Sequence, residues 1–211
     1  MKKNFKILVL LAYLPILTIT TSSCQSNSSS EKKENMSEKL SFPKSTGFDV
    51  PFMKSNFWRL TYNSAGQDLA YWIVLPKVMK PTNVKPTPIE SIGVILIGEY
   101  QVVDKNEPYL EVQVAYEKIT SKHQDIKLWF SEKLRKLSGT LIEESPVKIA
   151  DKDGYDVLFT RTLKSGEQYV SRASMFIAGE NYVMVMAMVS KADYEKSAKT
   201  MYHILSSWGM Q

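Results

Sequence analysis

Hydrophobic positions in this chain recur at two periods, and the shorter period dominates. Residues 56–62 and 109–116 alternate apolar with polar, and in the second Leu110, Val112 and Val114 take one face and Glu111 and Gln113 the other; residues 69–75, apolar throughout, form a second strand. A period of two predicts half-buried β-strands, because successive side chains point to opposite sides. Phe57 and Trp58 accordingly fall on opposite faces of the first strand. Residues 64–68 read as a turn, and Pro76 ends the second strand. Pro81, Pro86 and Pro88 predict a loop, since proline removes ladder donors. Residues 91–100 form a further strand before the one at 109–116.

Over residues 126–137 the period changes. Ile126, Trp129, Phe130, Leu134 and Leu137 make a helical stripe, Ser121 and Gln124 are spaced as a capping box, and Gly139 marks the stop. Short strands follow at 140–145 and 147–150, then a turn at 151–154, a strand at 155–163 and a two-residue turn at Ser165 and Gly166. The returning strand covers 168–177, and a turn at 179–181 leads to 182–189. This last run is apolar almost throughout, as a strand covered on both faces would be. Ser190 and Asp193 cap a closing helix whose stripe is Tyr194, Ala198, Met201, Leu205 and Trp208. The expected class is α/β of the α+β type. Its sheet is mainly antiparallel with helices on both faces, an α/β/α sandwich in one globular domain at 48–211.

The N-terminus reads as an address. Lys2, Lys3 and Lys6 precede an apolar run at 7–17, which fades into small polar residues by Ser23. These are the three regions of a secretory signal peptide, residues 1–23. A membrane span needs about 20 apolar residues, and this run is shorter and contains Pro15. Thr21-Ser22-Ser23-Cys24 resembles the lipobox of bacterial lipoproteins, with Thr21 where leucine is usual. The resemblance implies cleavage before Cys24 and lipidation of its sulfur and new amino group. Several acyl chains anchor firmly where one gives only marginal binding. Residues 24–47 are serine-rich and mixed in charge, a flexible tether. Gln25 stands where aspartate commonly signals inner-membrane retention. The same resemblance therefore points to the outer membrane, facing the periplasm, in a host with two membranes.

Composition narrows the chemistry. With 211 residues, 44% hydrophobic and 23% charged, the chain has an ordinary globular balance. One cysteine excludes an internal disulfide framework. The formal charge is +5, but residues 1–23 carry three of the lysines and no acid, so a nucleic-acid role loses its main support. His123 and His203 lie on different predicted helices with no second metal ligand nearby. Residues 151–154 resemble the start of a calcium loop but lack its later ligands, which leaves a tight turn. Glu143 and Glu144 are neighbours on a strand and face opposite ways, so they form no acid–base pair. Met184, Met186 and Met188, with Met175 and Met201, fit core packing better than an adaptable surface. One constellation remains. A two-residue turn at Ser165 and Gly166 sets Arg161 opposite Val170 and Phe159 opposite Arg172. Arg161 and Arg172 are then diagonal neighbours on one face, a candidate site for an anion or an acidic partner. The competing reading has them bridged by carboxylates or lying over Phe159.

Gly139, Asp153-Gly154-Tyr155, Ser165-Gly166-Glu167, Arg172, the strand from Tyr182 and the Ile204–Trp208 helix end together resemble the PsbP-like superfamily. That group includes photosystem II PsbP, the Ran-binding Mog proteins and DcrB-like lipoproteins, and the likeness spans residues 117–208. It implies a fold used for binding or assembly, with no catalytic residue and no cofactor. The expectation is a lipid-anchored envelope protein that binds protein partners, an accessory of secretion, conjugation or envelope assembly. The alternative is a periplasmic carrier of a small apolar ligand.

Overall fold

The structure is a computed structural model that describes residues 40, 45–63, 69–120, 125–163 and 165–211. The signal peptide, Cys24, most of the tether, the turn at 64–68, His123 and the Ser121/Gln124 pair lie outside the described residues. The chain divides at Lys39, and the unit Lys39–Gln211 is described here. Its elements run α1 (Val50–Asn56), β1 (Phe57–Tyr62), β2 (Tyr71–Pro76), β3 (Met79–Asn83), β4 (Thr87–Ile89), β5 (Val94–Val102) and β6 (Leu110–Lys118). They continue with α2 (Ile126–Lys136), β7 (Gly139–Ile149), β8 (Lys152–Thr162), β9 (Gln168–Ala178), β10 (Asn181–Ser190), a 3-10 turn (Lys191–Asp193), α3 (Tyr194–Ser206) and β11 (Trp208–Met210).

Among the described residues there are two sheets, antiparallel throughout. The larger runs β3-β5-β6-β10-β9-β8-β7, with β4 also on β5, and the smaller runs β1-β2-β11. β10 sits in the middle of the larger sheet, and residues 182–189 are all buried, as a strand covered on both faces requires. Its alternate residues enter two separate cores. Val183, Val185, Ala187 and Val189 join α3 and β2, through Met201, Ile204, Tyr71 and Ile73. Tyr182, Met184 and Met186 join α2, through Trp129 and Phe130. Met175, Met184 and Met186 are thus core residues of one face, and Met201 belongs to the other.

Several expected boundaries shift, each for a physical reason. Pro81 and Pro88 stand in β3 and β4 rather than in a loop; both strands lie outside β5, at the sheet edge that proline tolerates. Pro146 likewise lies within a continuous edge strand, β7, where a break was expected. The N-cap of α2 is Asp125, whose carboxylate accepts from Lys127 N–H at 2.7 Å. The helix stops at Ser138, which takes a φ of 53°, and Gly139 already opens β7. Space favours glycine at 139 instead, since a Cβ there would press on the side chains of Leu134 and Phe159, which would have to shift. The turn at 151–154 moves to Ala150 and Asp151, both with positive φ, which leaves Asp153 and Gly154 inside β8. The heptapeptide α1 was not expected, although Asp49 followed by Pro51 carries the signature of a helix start.

The closing helix ends at Ser206, and Trp208 belongs to β11, paired with Ile73. A stripe at helical spacing cannot distinguish a last helical residue from the first residue of a strand turning back onto the same core. Trp208 is fully buried and its ring stacks on Phe176 at 4.9 Å. Its Nε1 donates to Ser174 Oγ at 2.7 Å, and that hydroxyl donates to the Leu205 carbonyl at 3.2 Å. Trp208→Ala should cost about 3–5 kcal/mol in chemical denaturation. Trp58→Ala, at a site 39% exposed, should cost less than about 1 kcal/mol. Similar losses would deny β11 its place in the core.

Candidate functional site

The hairpin joining β8 and β9 decides the fate of the predicted arginine pair. Leu163 N–H donates to the Glu167 carbonyl and Gly166 N–H to the Leu163 carbonyl, both at 2.9 Å, with Gly166 at a φ of 86°. Leu163 therefore stands opposite Glu167, one residue off the expected two-residue turn. Glycine in the left-handed region at the end of a slightly longer loop produces this closure. Arg161 consequently faces Tyr169 and Arg172 faces Leu158, where Val170 and Phe159 were expected. A slip of one residue moves every side chain of a strand to the other face. Arg161 points with Phe159 into the α2 side, whereas Arg172 points with Leu158 into the α3 side. The two do not share a site.

Arg172 is held by Asp156. Its Nε lies 3.2 and 3.1 Å from the two carboxylate oxygens and its Nη2 bonds one of them, a fork-on-fork contact. Both side chains are about 95% buried, and the guanidinium stacks over Tyr202 at 4.9 Å. Burial pushes the Asp156 carboxyl up, and Arg172 pulls it back. A cavity of about 260 Å3 adjoins the pair, lined also by Ser174, Leu205 and Ser206. This geometry ties the large sheet to α3, in keeping with the carboxylate-bridged reading for Arg172.

The other candidates resolve separately. Asp153 bonds Lys148 Nζ at 2.7 Å, and that partner holds its carboxyl below the usual range. Glu144, opposite Val157, pairs with Lys127 at 3.5 Å, while Glu143 faces Leu158 on the other side. Among the described residues no three metal-ligating side chains converge. His203, on α3, packs edge-on against Phe57 at 4.6 Å and Phe48 at 6.1 Å. Phe48 and Phe52 pack as a tilted pair at 4.8 Å, so these rings fasten α1 to the domain although no residue of α1 is itself buried. Burial lowers the His203 pKa below its ordinary 6.5.

Phe52 and Phe57 of that cluster line a cleft of about 490 Å3 between α1, α3 and the ends of β2, β5 and β6. Phe57 and Leu110 line it from the core, and Phe52, Val78 and Val102 from the rim, with Glu107, Lys196 and Thr200 as polar margins. Phe52 and Val78 are 44% and 38% exposed, and Val103 beside them is 57% exposed. An apolar hollow with exposed aromatic and branched residues at its lip is suited to receive an apolar side chain. The alternation in residues 56–62 set Phe57 and Trp58 on opposite faces, and the structure buries Phe57; the hollow itself depends on α1 and on contacts remote in sequence.

Two outcomes test these assignments. Asp156→Asn should destabilise the domain by about 3–5 kcal/mol, because it strands a buried guanidinium, and Asp156→Leu with Arg172→Met should recover most of that loss. Recovery in denaturant melts marks a packing role; a double variant as unstable as the single would not. The second outcome concerns pH. His203 gains its proton in the unfolded chain first, so stability should fall as pH drops below about 6.5, and the fall should end once the folded state is protonated too. In urea titrations across this range His203→Phe should remove that component, and an unchanged pH profile would refute it.

No family model and no curated protein matches the chain. Solved structures do. Cyanobacterial PsbP (CyanoP) from Synechocystis sp. PCC 6803 superposes with a TM-score of 0.53 at 12% identity, over 74% of this chain and 93% of that one. LpqN of Mycobacterium tuberculosis, involved in cell envelope biogenesis, superposes at 0.52 and 7% identity, over 78% and 98%. The Saccharomyces cerevisiae Ran-binding protein Mog1p gives 0.49 at 12% identity, over 72% and 95%. The described domain, a mostly antiparallel β-sheet with a few helices, has the PsbP-like fold.

Proposed function

We propose that this chain is a lipid-anchored protein of the cell envelope that works by binding a protein partner in the cleft between α1 and α3. The cleft carries this reading. Its exposed apolar rim, Phe52 and Val78, surrounds a hollow deep enough for a side-chain anchor. Glu107 and Lys196 at the margin supply one charge of each sign. The partner that suits it presents an aromatic or branched apolar residue in a polar surround. The lining offers one carboxylate and no base beside Ser197 or Thr200, so we read the protein as non-enzymatic. In this reading the domain is an α/β/α sandwich whose second helical layer, α3, is shared with the small sheet.

The address rests on residues 1–24. A basic start, a short apolar run and Cys24 support export and acylation, and Gln25 favours the outer membrane in a two-membrane host. LpqN, with the same fold, is involved in cell envelope biogenesis, which supports an envelope role here. Among the described residues no helix is long and apolar enough to cross a membrane. In this proposal acyl chains on Cys24 supply the attachment.

A photo-crosslinking amino acid placed at Phe52 in cells should capture one envelope protein. The same probe at Glu180, exposed on the β9–β10 turn, should not. Capture should be lost on Val78→Asp. Cys24→Ser should abolish incorporation of an alkynyl palmitate analogue and move the chain out of the membrane fraction. Capture that persists in Val78→Asp would overturn the cleft as the contact, and a Cys24→Ser chain still acylated would overturn the anchor.

A further inference from the structure

The face of the large sheet beneath α2 holds a second cavity, about 230 Å3, closed by α2 and by the chain between β4 and β5. Ile92, Leu96, Phe130 and Met184 give it an apolar lining, and two cations, Lys133 and Arg161, line it as well. The cations are not equivalent. Lys133 is bound to Glu117 and lies over the Trp129 ring at 5.6 Å. Glu117 in turn accepts from Trp129 Nε1 at 2.7 Å, which fixes this corner of the cavity.

Arg161 has no such arrangement. Its Nε is buried and makes no hydrogen bond among the described residues. Its Nη2 contacts the sulfur of Met188, a weak acceptor. Among the described residues no carboxylate stands within ion-pair distance of it. Ser171, its diagonal neighbour on the same face, is fully buried, and its hydroxyl likewise makes no hydrogen bond among the described residues. Burial draws the Arg161 pKa down, opposed by the nearby Glu111 and Tyr169. Arg161 as a whole is half-buried, but its Nε lies out of reach of water, and a guanidinium nitrogen in that position normally has an acceptor. An Nε without an acceptor among the described residues, beside an apolar chamber, suits a ligand with a charged head and a greasy body.

We propose that this cavity binds a small amphipathic carboxylate, a short- or medium-chain fatty acid, with its carboxylate on Arg161 and its chain among the apolar residues under α2. Lys133 adds positive potential at the same wall. The volume lies below the usual range for drug-sized ligands, about 300–1,000 Å3, which excludes a diacyl lipid. The site is separate from the α1–α3 cleft and does not depend on the protein-binding reading.

Methionine methyl groups report on it directly, because Met184 and Met186 line the cavity and Met201 lies in the opposite core. The full chain, labelled with 13C-methyl methionine and held in phosphatidylcholine nanodiscs, is titrated with octanoate and, separately, with the neutral octanamide. Octanoate should shift the Met184 and Met186 signals, leave Met201 in place, and bind about tenfold more tightly than octanamide, as one charge-assisted contact implies. Arg161→Gln should remove that preference by weakening octanoate to the octanamide level, with Arg161→Lys between the two. Equal binding of the two ligands, or Met184 and Met186 signals that octanoate does not move, would overturn the proposal. The comparison on the unsubstituted chain decides the matter even if Arg161→Gln fails to fold.

Discussion

The whole domain depends on β10 being covered on both faces. A strand with buried residues on both sides cannot shift by one residue without exchanging the contents of two cores, so its register is fixed by volume and shape. Val183, Val185 and Val189 fill one side with branched residues, and Tyr182, Met184 and Met186 fill the other with long, adaptable ones. Neighbouring strands inherit this parity through the antiparallel ladders. It decides that Asp156 and Arg172 meet on the α3 side while Arg161 turns towards α2. Every candidate site described above is a consequence of which parity class its residues belong to.

Charge placement follows the same rule. On the α3 side the buried cation has a buried carboxylate in bidentate contact, so polarity there serves packing. On the α2 side the Nε of Arg161 and the hydroxyl of Ser171 are buried without a hydrogen-bond partner among the described residues. Natural interiors leave few polar groups in that condition, and those that remain call for an explanation in ligand binding or bound solvent. The contrast between two arginines on adjacent strands of the β8–β9 hairpin separates a structural ion pair from a recognition element.

Much of this was legible in the amino-acid order. Alternation located β1 and β6, apolar stretches bounded by turn residues located β2, β8 and β9, and the continuous apolar run at 182–189 identified the central strand. The stripe from Ile126 to Leu137 located α2, and Ser190 does cap the final turn, accepting from Asp193 N–H. What failed to show were the features set by tertiary context. Proline reads as a breaker wherever it stands, and only the strand order reveals that Pro81, Pro88 and Pro146 lie on edges. Ser165 and Gly166 suit both a two-residue turn and the last positions of a longer loop, and that single ambiguity misplaced the arginine pair. Trp208 was correctly placed in the core but assigned to the wrong element. The cleft beside α1 was invisible because its walls come from four separate stretches of chain.

The closure of the small sheet carries a temporal consequence. β2 gains its second neighbour only when β11 arrives, and the ladder is continued by Gln211 N–H on the Ala70 carbonyl at 2.8 Å. These partners are separated by most of the domain, so the contact has high sequence separation and forms slowly. A chain that emerges N-terminus first therefore presents Tyr71, Ile73 and Leu75 without their covering until the C-terminal tryptophan has been delivered. During that interval β2 is an open apolar edge, and whatever escorts the nascent protein must shield that strand above all others.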